Sequence, residues 1–278
     1  MNIPDSSNPR VVIIGGGFAG VAIAQKLKNK AFQVVLLDKH NYHNFQPLMY
    51  QVATGGLESG SIAYPMRKII KEHREAFFRM TLVEKIDTEN KKVITDIGTI
   101  YYDYLVIATG STNNYFGNKE IEKNSMVMKT IPEALNIRTL LLENFELALQ
   151  TNDMNERKAL MNFVIVGAGP TGVELAGALA EMKNAVFPKD YPDLDISMME
   201  INLVQGSDNI LDAMSKKSSK AAEKFLKDLG VKIHLKTIVT NYDGKKIETK
   251  GGLSFDTHAV IWSAGVKGAP IEGMPQTL

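Results

Sequence analysis

The sequence carries the same glycine pattern twice, and this repetition constrains the fold more than any other feature. Each copy spaces three glycines as GxGxxG directly after a short run of apolar residues, at Gly15, Gly17 and Gly20 and again at Gly167, Gly169 and Gly172. In a βαβ unit of this kind, the first glycine permits a tight turn, the second lets the backbone approach a pyrophosphate, and the third lets the helix pack closely on the strand. The distance between the copies is too long for a solenoid repeat, so they predict two dinucleotide-binding domains.

The first copy continues as a complete βαβ unit. A helix-like segment, VAIAQKLKNK, leads to the apolar run FQVVLLDKH, in which Asp38 closes the second strand. Parallel strands that are buried on both faces have this continuous Val, Ile and Leu pattern. An acid at this position accepts hydrogen bonds from the hydroxyls of an adenosine ribose. Phe18 and Ala19 fill variable positions of the glycine turn, so we expect them beside the same cofactor.

Two dinucleotide sites in one chain suggest that electrons pass from one cofactor to another. Nicotinamide delivers hydride, whereas flavin accepts hydride and releases electrons singly or in pairs. One FAD and one NADH are therefore the economical prediction. In the second copy Gln205 stands where the first copy has Asp38. Because a neutral glutamine does not repel a 2′-phosphate, we expect NADH to be favoured only modestly and NADPH to be tolerated.

Glu174 lies shortly after the last glycine of the second copy, and we expect it in the first turn of the helix. One interpretation is stabilisation of the helix dipole, which is worth about 0.3–1 kcal/mol at an exposed site. A carboxylate beside a pyrophosphate is electrostatically unfavourable, however. The second interpretation is therefore that Glu174 points away from the phosphates, toward the nicotinamide or the flavin, as a catalytic residue.

Composition excludes several other kinds of chemistry. The 278 residues contain no cysteine, which rules out disulfides, thiolate catalysis and iron–sulfur ligation, and with them the disulfide-reductase and sulfide-oxidising mechanisms. The five histidines have no metal-ligand spacing, so we predict no metal site. A net charge of +1 gives no reason to expect nucleic acid as a partner. There is no apolar secretion signal and no apolar run of about 20 residues, so the cytoplasm or its membrane surface is expected.

The remaining segments set the expected domain limits. We predict an α/β fold with two Rossmann-like domains. Residues 64–77 are expected to be helical, as are residues 132–150, where a proline stands in the first turn. The FAD-binding domain is expected to span residues 1–115 and the NAD(H)-binding domain residues 116–265. Residues 266–278 are expected to begin the return into the first domain.

Five segments resemble bacterial type II NADH dehydrogenases, the single-subunit, non-proton-pumping NADH:quinone oxidoreductases. These segments are VVIIGGGFAG, NYHNFQPLMYQVAT, YDYLVIATGS, VIVGAGPTGVELAG and VIWSAGV. They extend over essentially the whole chain in the family's order. The pieces FQPLMYQVAT and GPTGVELAG are the most specific, because the glycine motifs alone fit the whole superfamily of two-dinucleotide flavoproteins, which shares the pyridine-nucleotide-disulfide-oxidoreductase fold.

The resemblance implies roles for individual residues. The FAD site would comprise Gly15, Gly17, Phe18, Ala19, Gly20, Asp38, Lys39, Gln46, Thr54, Val83, Ala108, Thr109 and Gly110. The NADH site would comprise Gly167, Gly169, Pro170, Thr171, Gly172, Gln205, Ser263, Ala264 and Gly265. Glu174 matches a glutamate near the nicotinamide and the quinone. The implied reaction passes hydride from NADH to FAD and then electrons to a quinone.

Members of the family continue well beyond the length of this chain. The resemblance implies that the further part completes the FAD site and the quinone pocket and carries amphipathic helices. Those helices would hold the protein on the inner face of the cell membrane, and an exposed sheet edge would favour a homodimer. Two alternatives remain open: a soluble NAD(P)H-dependent reductase of a ferredoxin or rubredoxin, and a catalytically silent nucleotide-binding module.

Overall fold

The chain divides into two compact units, each with its own parallel sheet. The computed structural model describes residues 1–274, so the end of the predicted return segment, 275–278, lies outside the described residues. The first unit contains Met1–Phe45, Gly60–Thr112 and the residues from Lys267 on, and the second contains Gln46–Ser59 and Asn113–Val266. Each unit contains one of the two glycine motifs.

Both units contain helices and strands, with βαβ segments around the glycine motifs and runs of consecutive strands elsewhere. The strands are β1 (Arg10–Ile14), β2 (Gln33–Asp38), β3 (Tyr42–Asn44), β4 (Ala63–Pro65), β5 (Ala76–Met80), β6 (Val83–Asp87), β7 (Lys92–Thr95), β8 (Gly98–Tyr101), β9 (Tyr104–Ile107), β10 (Ser111–Asn113), β11 (Asn162–Val166), β12 (Glu200–Val204), β13 (Lys232–His234), β14 (Val239–Tyr242), β15 (Lys246–Thr249), β16 (Ser254–Asp256), β17 (Ala259–Trp262) and β18 (Val266–Gly268). The helices are α1 (Phe18–Lys26), α2 (Met49–Ala53), α3 (Met66–Ile70), α4 (Lys119–Asn124), α5 (Ile131–Gln150), α6 (Met154–Leu160), α7 (Pro170–Ala185), α8 (Phe187–Asp190) and α9 (Lys216–Asp228). Short 3₁₀ turns span Gln46–Leu48, Ser59–Ile62 and Ile196–Met198.

The first unit is built on a parallel sheet with the strand order β5-β2-β1-β9. Alternate residues of its central strands point to opposite faces, and both faces are buried. Ile13 and Leu36 face an apolar layer that includes residues of α1 and α3, whereas Val12 and Leu37 face the antiparallel sheet β6-β7-β8. Burial on both sides explains why these strands are continuous apolar runs.

The second unit repeats this arrangement with the strand order β13-β12-β11-β17 and the antiparallel sheet β14-β15-β16. Val164 and Val204 pack toward Tyr242 and Ile247 of the antiparallel sheet. Elsewhere in the unit, Phe163 makes an edge-to-face contact with Phe145 of α5. The α/β fold with two Rossmann-like domains is therefore confirmed.

The chain passes between the units four times, after Phe45, Ser59, Thr112 and Val266. The last two of these crossings lie within the short strands β10 and β18. One segment differs from the expected division, because Gln46–Ser59 groups with the second unit instead of the first. Its helix α2 buries Met49, Val52 and Ala53 and contacts α5 and α7, so packing, and not chain order, decides where this segment belongs.

The helix predicted for residues 64–77 is wrong over much of its length. Helix α3 covers only Met66–Ile70, and β5 begins at Ala76 as an edge strand that pairs in parallel with β2. Sheet pairing has overridden the local helix preference of this segment. The prediction for residues 132–150 is confirmed by α5. Thr130 and Glu133 close its start with a reciprocal capping box.

Within residues 1–274, no helix is long and apolar enough to cross a membrane. The same residues contain no group of three or more His, Cys, Asp or Glu side chains that could hold a metal ion.

Candidate functional site

The first glycine turn joins β1 to α1, and two of its glycines have no room for a side chain. Gly15 has a φ of 104°, and a Cβ atom there would lie 2.3 Å from the carbonyl oxygen of Ala108. A Cβ atom on Gly20 would lie 1.8 Å from the carbonyl oxygen of Gly15. Gly17 is different, because it has extended backbone with φ −72° and a Cβ atom there would meet nothing within 4 Å. The turn is therefore closely packed at Gly15 and Gly20, whereas Gly17 has free space beside it.

The second glycine turn, between β11 and α7, has the same construction. Gly167 has a φ of 105°, and a Cβ atom there would lie 2.6 Å from the backbone nitrogen of Ala264. A Cβ atom on Gly172 would lie 2.0 Å from the carbonyl oxygen of Gly167. Gly169, the N-cap residue of α7, is again open, with nothing within 4 Å of a Cβ atom.

Both open glycines stand at a helix start that carries no side-chain cap. Neither Gly17 nor Gly169 provides a side-chain hydrogen bond to its helix. The backbone N–H groups of a helix's first turn point out of the helix, and the helix dipole favours an anion there. Each turn therefore fits the pyrophosphate of a dinucleotide, with the missing side chain leaving room for its close approach.

The residue that closes the second strand holds the glycine turn in each unit. The Asp38 carboxylate accepts hydrogen bonds from the N–H groups of Gly16, at 2.6 Å, and His40, at 2.7 Å. In the second unit the side-chain oxygen of Gln205 accepts from the N–H of Ala168 at 2.8 Å. Asp38 and Gln205 therefore occupy equivalent positions, as the sequence comparison predicted.

An aromatic cluster stands at the first turn, and the sequence interpretation found only part of it. Phe18 is 51% exposed and makes edge-to-face contacts with the rings of His43 and Phe45. The Nδ1 atom of His43 lies 2.9 Å from the carbonyl oxygen of Gly16, so this histidine is held against the glycine turn. Two sequence signals pointed to His43, namely its position soon after the Asp38 strand end and its place in the segment NYHNFQPLMYQVAT.

Three of the other residues proposed for FAD in the first unit, Ala108, Thr109 and Gly110, directly follow β9. Ala108 packs under Gly15, and the Thr109 hydroxyl donates to the carbonyl oxygen of Ala269 at 2.9 Å. Gly110 adopts a φ of 69°. A pocket of about 340 Å³ is lined by Ile107, Thr109, Gly110, Gly268, Ala269, Pro270 and Met274. Lys39 is exposed just beyond β2, and Val83 begins β6.

In the second unit, a small pocket brings several proposed residues together. It has a volume of about 90 Å³, and its walls include Gln46, Thr171, Glu174 and Ser263. The Ser263 hydroxyl donates to the carbonyl oxygen of Gly167 at 2.8 Å, which ties this wall to the glycine turn. Ala264 packs against Gly167, and Gly265 adopts a φ of 71°.

Two further residues of this region are Thr54 and Lys129. Thr54 is not among the residues that line this pocket, and its hydroxyl donates to the carbonyl oxygen of Tyr50 at 2.9 Å at the end of α2. Lys129 does line it, although the sequence interpretation missed this residue. Burial lowers the pKa of Lys129, and nearby Glu133 opposes that shift.

Glu174 lies in the second turn of α7, not in the first as expected. The helix begins at Pro170, and no acidic residue stands in its first turn. Because the dipole effect falls off within the first turn, the dipole interpretation of Glu174 loses its basis. The residue is largely exposed, yet desolvation by the surrounding protein raises the pKa of its carboxyl group. A carboxyl with a raised pKa beside a pocket is suited to holding a proton there.

Comparison with known proteins gives consistent results. Residues 9–273 match the family model for pyridine nucleotide-disulphide oxidoreductases. The chain is 36% identical to the type II NADH:quinone oxidoreductase Ndh of Mycobacterium tuberculosis, over 92% of this chain and 57% of that protein. It is 34% identical to the mitochondrial external alternative NAD(P)H-ubiquinone oxidoreductase B3 of Arabidopsis thaliana, over 94% of this chain and 48% of that protein. The resemblance to type II NADH dehydrogenases is therefore confirmed.

The solved structure of NDH2 from Plasmodium falciparum in complex with NADH shares the fold. It superimposes with a TM-score of 0.87 at 24% identity, and the match covers 94% of this chain and 56% of that one. The chain thus spans about half the length of the relatives that it matches.

Proposed function

Because the chain belongs to the pyridine nucleotide-disulphide oxidoreductase family, we propose that its first unit binds FAD and its second unit binds NADH. The activity proposed for the whole protein is that of an NADH:quinone oxidoreductase, in which hydride passes from NADH to FAD and electrons then pass to a quinone. Bound FAD would supply the ability to accept hydride and to release electrons singly or in pairs.

The observation that carries this proposal is the duplicated open glycine turn. Gly17 and Gly169 stand at equivalent helix starts with free space where a side chain would be. In each turn the first and third glycines of the motif are pressed against backbone, so the open position is not a consequence of loose packing. Two such turns in one chain support two dinucleotides. The relatives' names support the choice of NADH as the donor and a quinone as the acceptor.

The chain's own residues would bind and orient these partners. Amide groups at the starts of α1 and α7 would hold the two pyrophosphates, and Asp38 would accept hydrogen bonds from the ribose of FAD. Glu174, with its raised pKa and its place in the pocket wall, would hold a proton near the acceptor. The remaining residues named in the sequence analysis for FAD and for NADH keep their proposed roles.

A quinone site, attachment to the inner face of the cell membrane and a homodimer belong to the proposal for the whole protein. The chain covers 57% of the length of the mycobacterial relative, and the relatives' names support only the quinone among these features. The ferredoxin or rubredoxin reductase is not favoured, because the relatives described above are named as quinone oxidoreductases.

The experiment is a visible absorption spectrum of the purified protein with added FAD, before and after anaerobic NADH. We expect flavin bands that bleach when NADH is added. Gly17→Ala and Gly169→Ala form a matched pair, since each places one methyl group in open space at the same helical position. Gly17→Ala should weaken FAD retention, whereas Gly169→Ala should retain FAD and require more NADH for bleaching. Flavin bands that NADH leaves unchanged would contradict the donor site, and wild-type protein that never takes up FAD would contradict both sites.

A further inference from the structure

The neutral Gln205 at the end of β12 has a carboxylate group close to it, that of Asp212. Its side-chain nitrogen donates to the Ser207 hydroxyl at 2.5 Å and lies 3.4 Å from a carboxylate oxygen of Asp212. The Ser207 hydroxyl also donates to the same carboxylate oxygen. Gln205 therefore links the glycine turn on one side to a carboxylate on the other.

The loop that carries Asp212 is held in place by buried contacts. Ile210 and Leu211 are buried, and the Leu211 N–H donates to the carbonyl oxygen of Ala168 in the glycine turn at 2.8 Å. Leu211 adopts a φ of 52°, a conformation that is unfavourable for leucine and persists only where packing enforces it. The Ser219 hydroxyl of α9 donates to the Ile210 carbonyl oxygen at 2.7 Å. Asp212 is thus presented to Gln205 by a fixed backbone.

We propose that Asp212 supplies, through Ser207 and Gln205, the negative charge that the second unit lacks at its strand end, and that it makes the nucleotide site select against a 2′-phosphate. This inference rests on the proposed binding of NADH by the second unit. In the first unit, the Asp38 carboxylate accepts a hydrogen bond from the N–H of Gly16 in the glycine turn and also carries the negative charge. In the second unit these two roles are divided, because Gln205 accepts the hydrogen bond from the N–H of Ala168 and Asp212 carries the negative charge.

The other charged groups at this strand end do not cancel that of Asp212. Lys236 is the nearby base, and its ammonium group lies 3.4 Å from a carboxylate oxygen of Asp208. The imidazole ring of His234 contacts Asn202, whose side-chain oxygen lies 2.8 Å from its Nε2 atom. A phosphate monoester carries about −1.5 to −2 charge at pH 7, so an adjacent carboxylate repels it. The sequence alone predicted a modest preference for NADH, whereas this arrangement leads us to expect a strong one.

The test is equilibrium binding of NAD⁺ and NADP⁺ by titration calorimetry, since these oxidised nucleotides deliver no hydride. We expect the wild-type protein to bind NAD⁺ about a hundredfold more tightly than NADP⁺. Asp212→Asn should reduce that ratio about tenfold, mainly by strengthening NADP⁺ binding. Ser207→Ala, which releases the carboxylate, should lower the ratio by a smaller factor. Asp228→Asn makes the same charge change at the far end of α9, roughly 18 Å of helix away, and should leave the ratio unchanged.

A ratio that stays within twofold of wild type in Asp212→Asn would overturn the inference while leaving NAD⁺ binding, and so the proposed function, intact. An equal loss of selectivity in Asp228→Asn would also overturn it, because net charge and not the local carboxylate would then be responsible. A wild-type protein that binds neither nucleotide would overturn the proposed donor site itself, and the inference with it.

Discussion

The two units are built on one plan, yet they treat the end of the second strand differently. Both have the same sheet order, both have the same tight and open glycines, and both are covered on one side by a three-stranded antiparallel sheet. The first unit closes its strand with Asp38, whereas the second uses Gln205 and a carboxylate brought in by a loop. The comparison teaches that the backbone plan constrains the glycines strictly, while the charge at the strand end can come from elsewhere in the chain.

The largest expected effect tests whether the two tight turns are equally constrained. Gly20→Ala and Gly172→Ala each place a methyl group within 2.0 Å of a backbone carbonyl oxygen. We expect each to lower the free energy of unfolding by about 4 kcal/mol or more, as measured by urea denaturation. Gly17→Ala and Gly169→Ala should cost about 1 kcal/mol or less, because their added methyl groups meet nothing. Tolerance of Gly20→Ala or Gly172→Ala at that lower cost would show that the turn is looser than its geometry indicates.

The next effect distinguishes the antiparallel sheets of the two units. The fourth residue of the first strand is Ile86 in β6 and Tyr242 in β14, and both are buried. Burial, with a smaller contribution from Asp243, raises the pKa of Tyr242 to about 12. The unfolded tyrosine ionises first, so stability should fall as the pH rises from 10 toward 12. Two pKa units correspond to about 2–3 kcal/mol.

Unfolding curves at several alkaline pH values check this expectation. The loss should be smaller in Tyr242→Phe by about that amount, whereas Tyr101→Phe, at an exposed position in the first unit, should behave like wild type. The same alkaline loss in wild type and Tyr242→Phe would mean that another group is responsible.

A third prediction concerns variants in which the strand end of the second unit, at Gln205, is made to resemble that of the first unit, at Asp38. Gln205→Glu places a second carboxylate beside Asp212, and we expect it to lower the free energy of unfolding by about 1 kcal/mol through like-charge repulsion. The double variant Gln205→Glu/Asp212→Asn carries a single charge, as the first unit does, and should recover most of that loss. A double-mutant cycle from denaturation data gives the coupling directly. A coupling near zero would mean that the two side chains do not interact in solution.

The smallest effect concerns Glu174, whose counterpart in the first glycine motif is the exposed Ala22. Its pKa is raised by desolvation, so the folded protein holds this proton more firmly than the unfolded chain. The associated stability is fully present below the ordinary value of 4.5 and is lost as the pH rises through the folded pKa. We expect less than about 1 kcal/mol, because solvent screens a largely exposed charge.

Glu174→Gln should remove this dependence, so thermal melting of wild type and variant should diverge as the pH rises from about 4 to 7. Parallel melting temperatures over that range would argue against a desolvated carboxyl. Glu181→Gln, farther along α7, is a suitable comparison variant because it makes the same chemical change on the same helix.

Local patterns were enough to predict much of this protein. The spacing of Gly15, Gly17 and Gly20, and of their counterparts in the second motif, depends on contacts within one strand, turn and helix. The apolar runs around them reflect strands buried on both faces. Thr130 and Pro132 likewise act on their own helix, so α5 was predictable. These features are short-range, and the residues that cause them are neighbours in the chain.

The tertiary structure decided what depends on distant partners. Strand β5 forms because β2 offers it an edge, and residues 46–59 join the second unit because α2 packs on α5 and α7. Asp212 reaches Gln205 only because the buried Leu211 holds the loop against the glycine turn. In each case the free energy comes from surface buried between segments far apart in the chain, and a local pattern carries no information about which segments will meet.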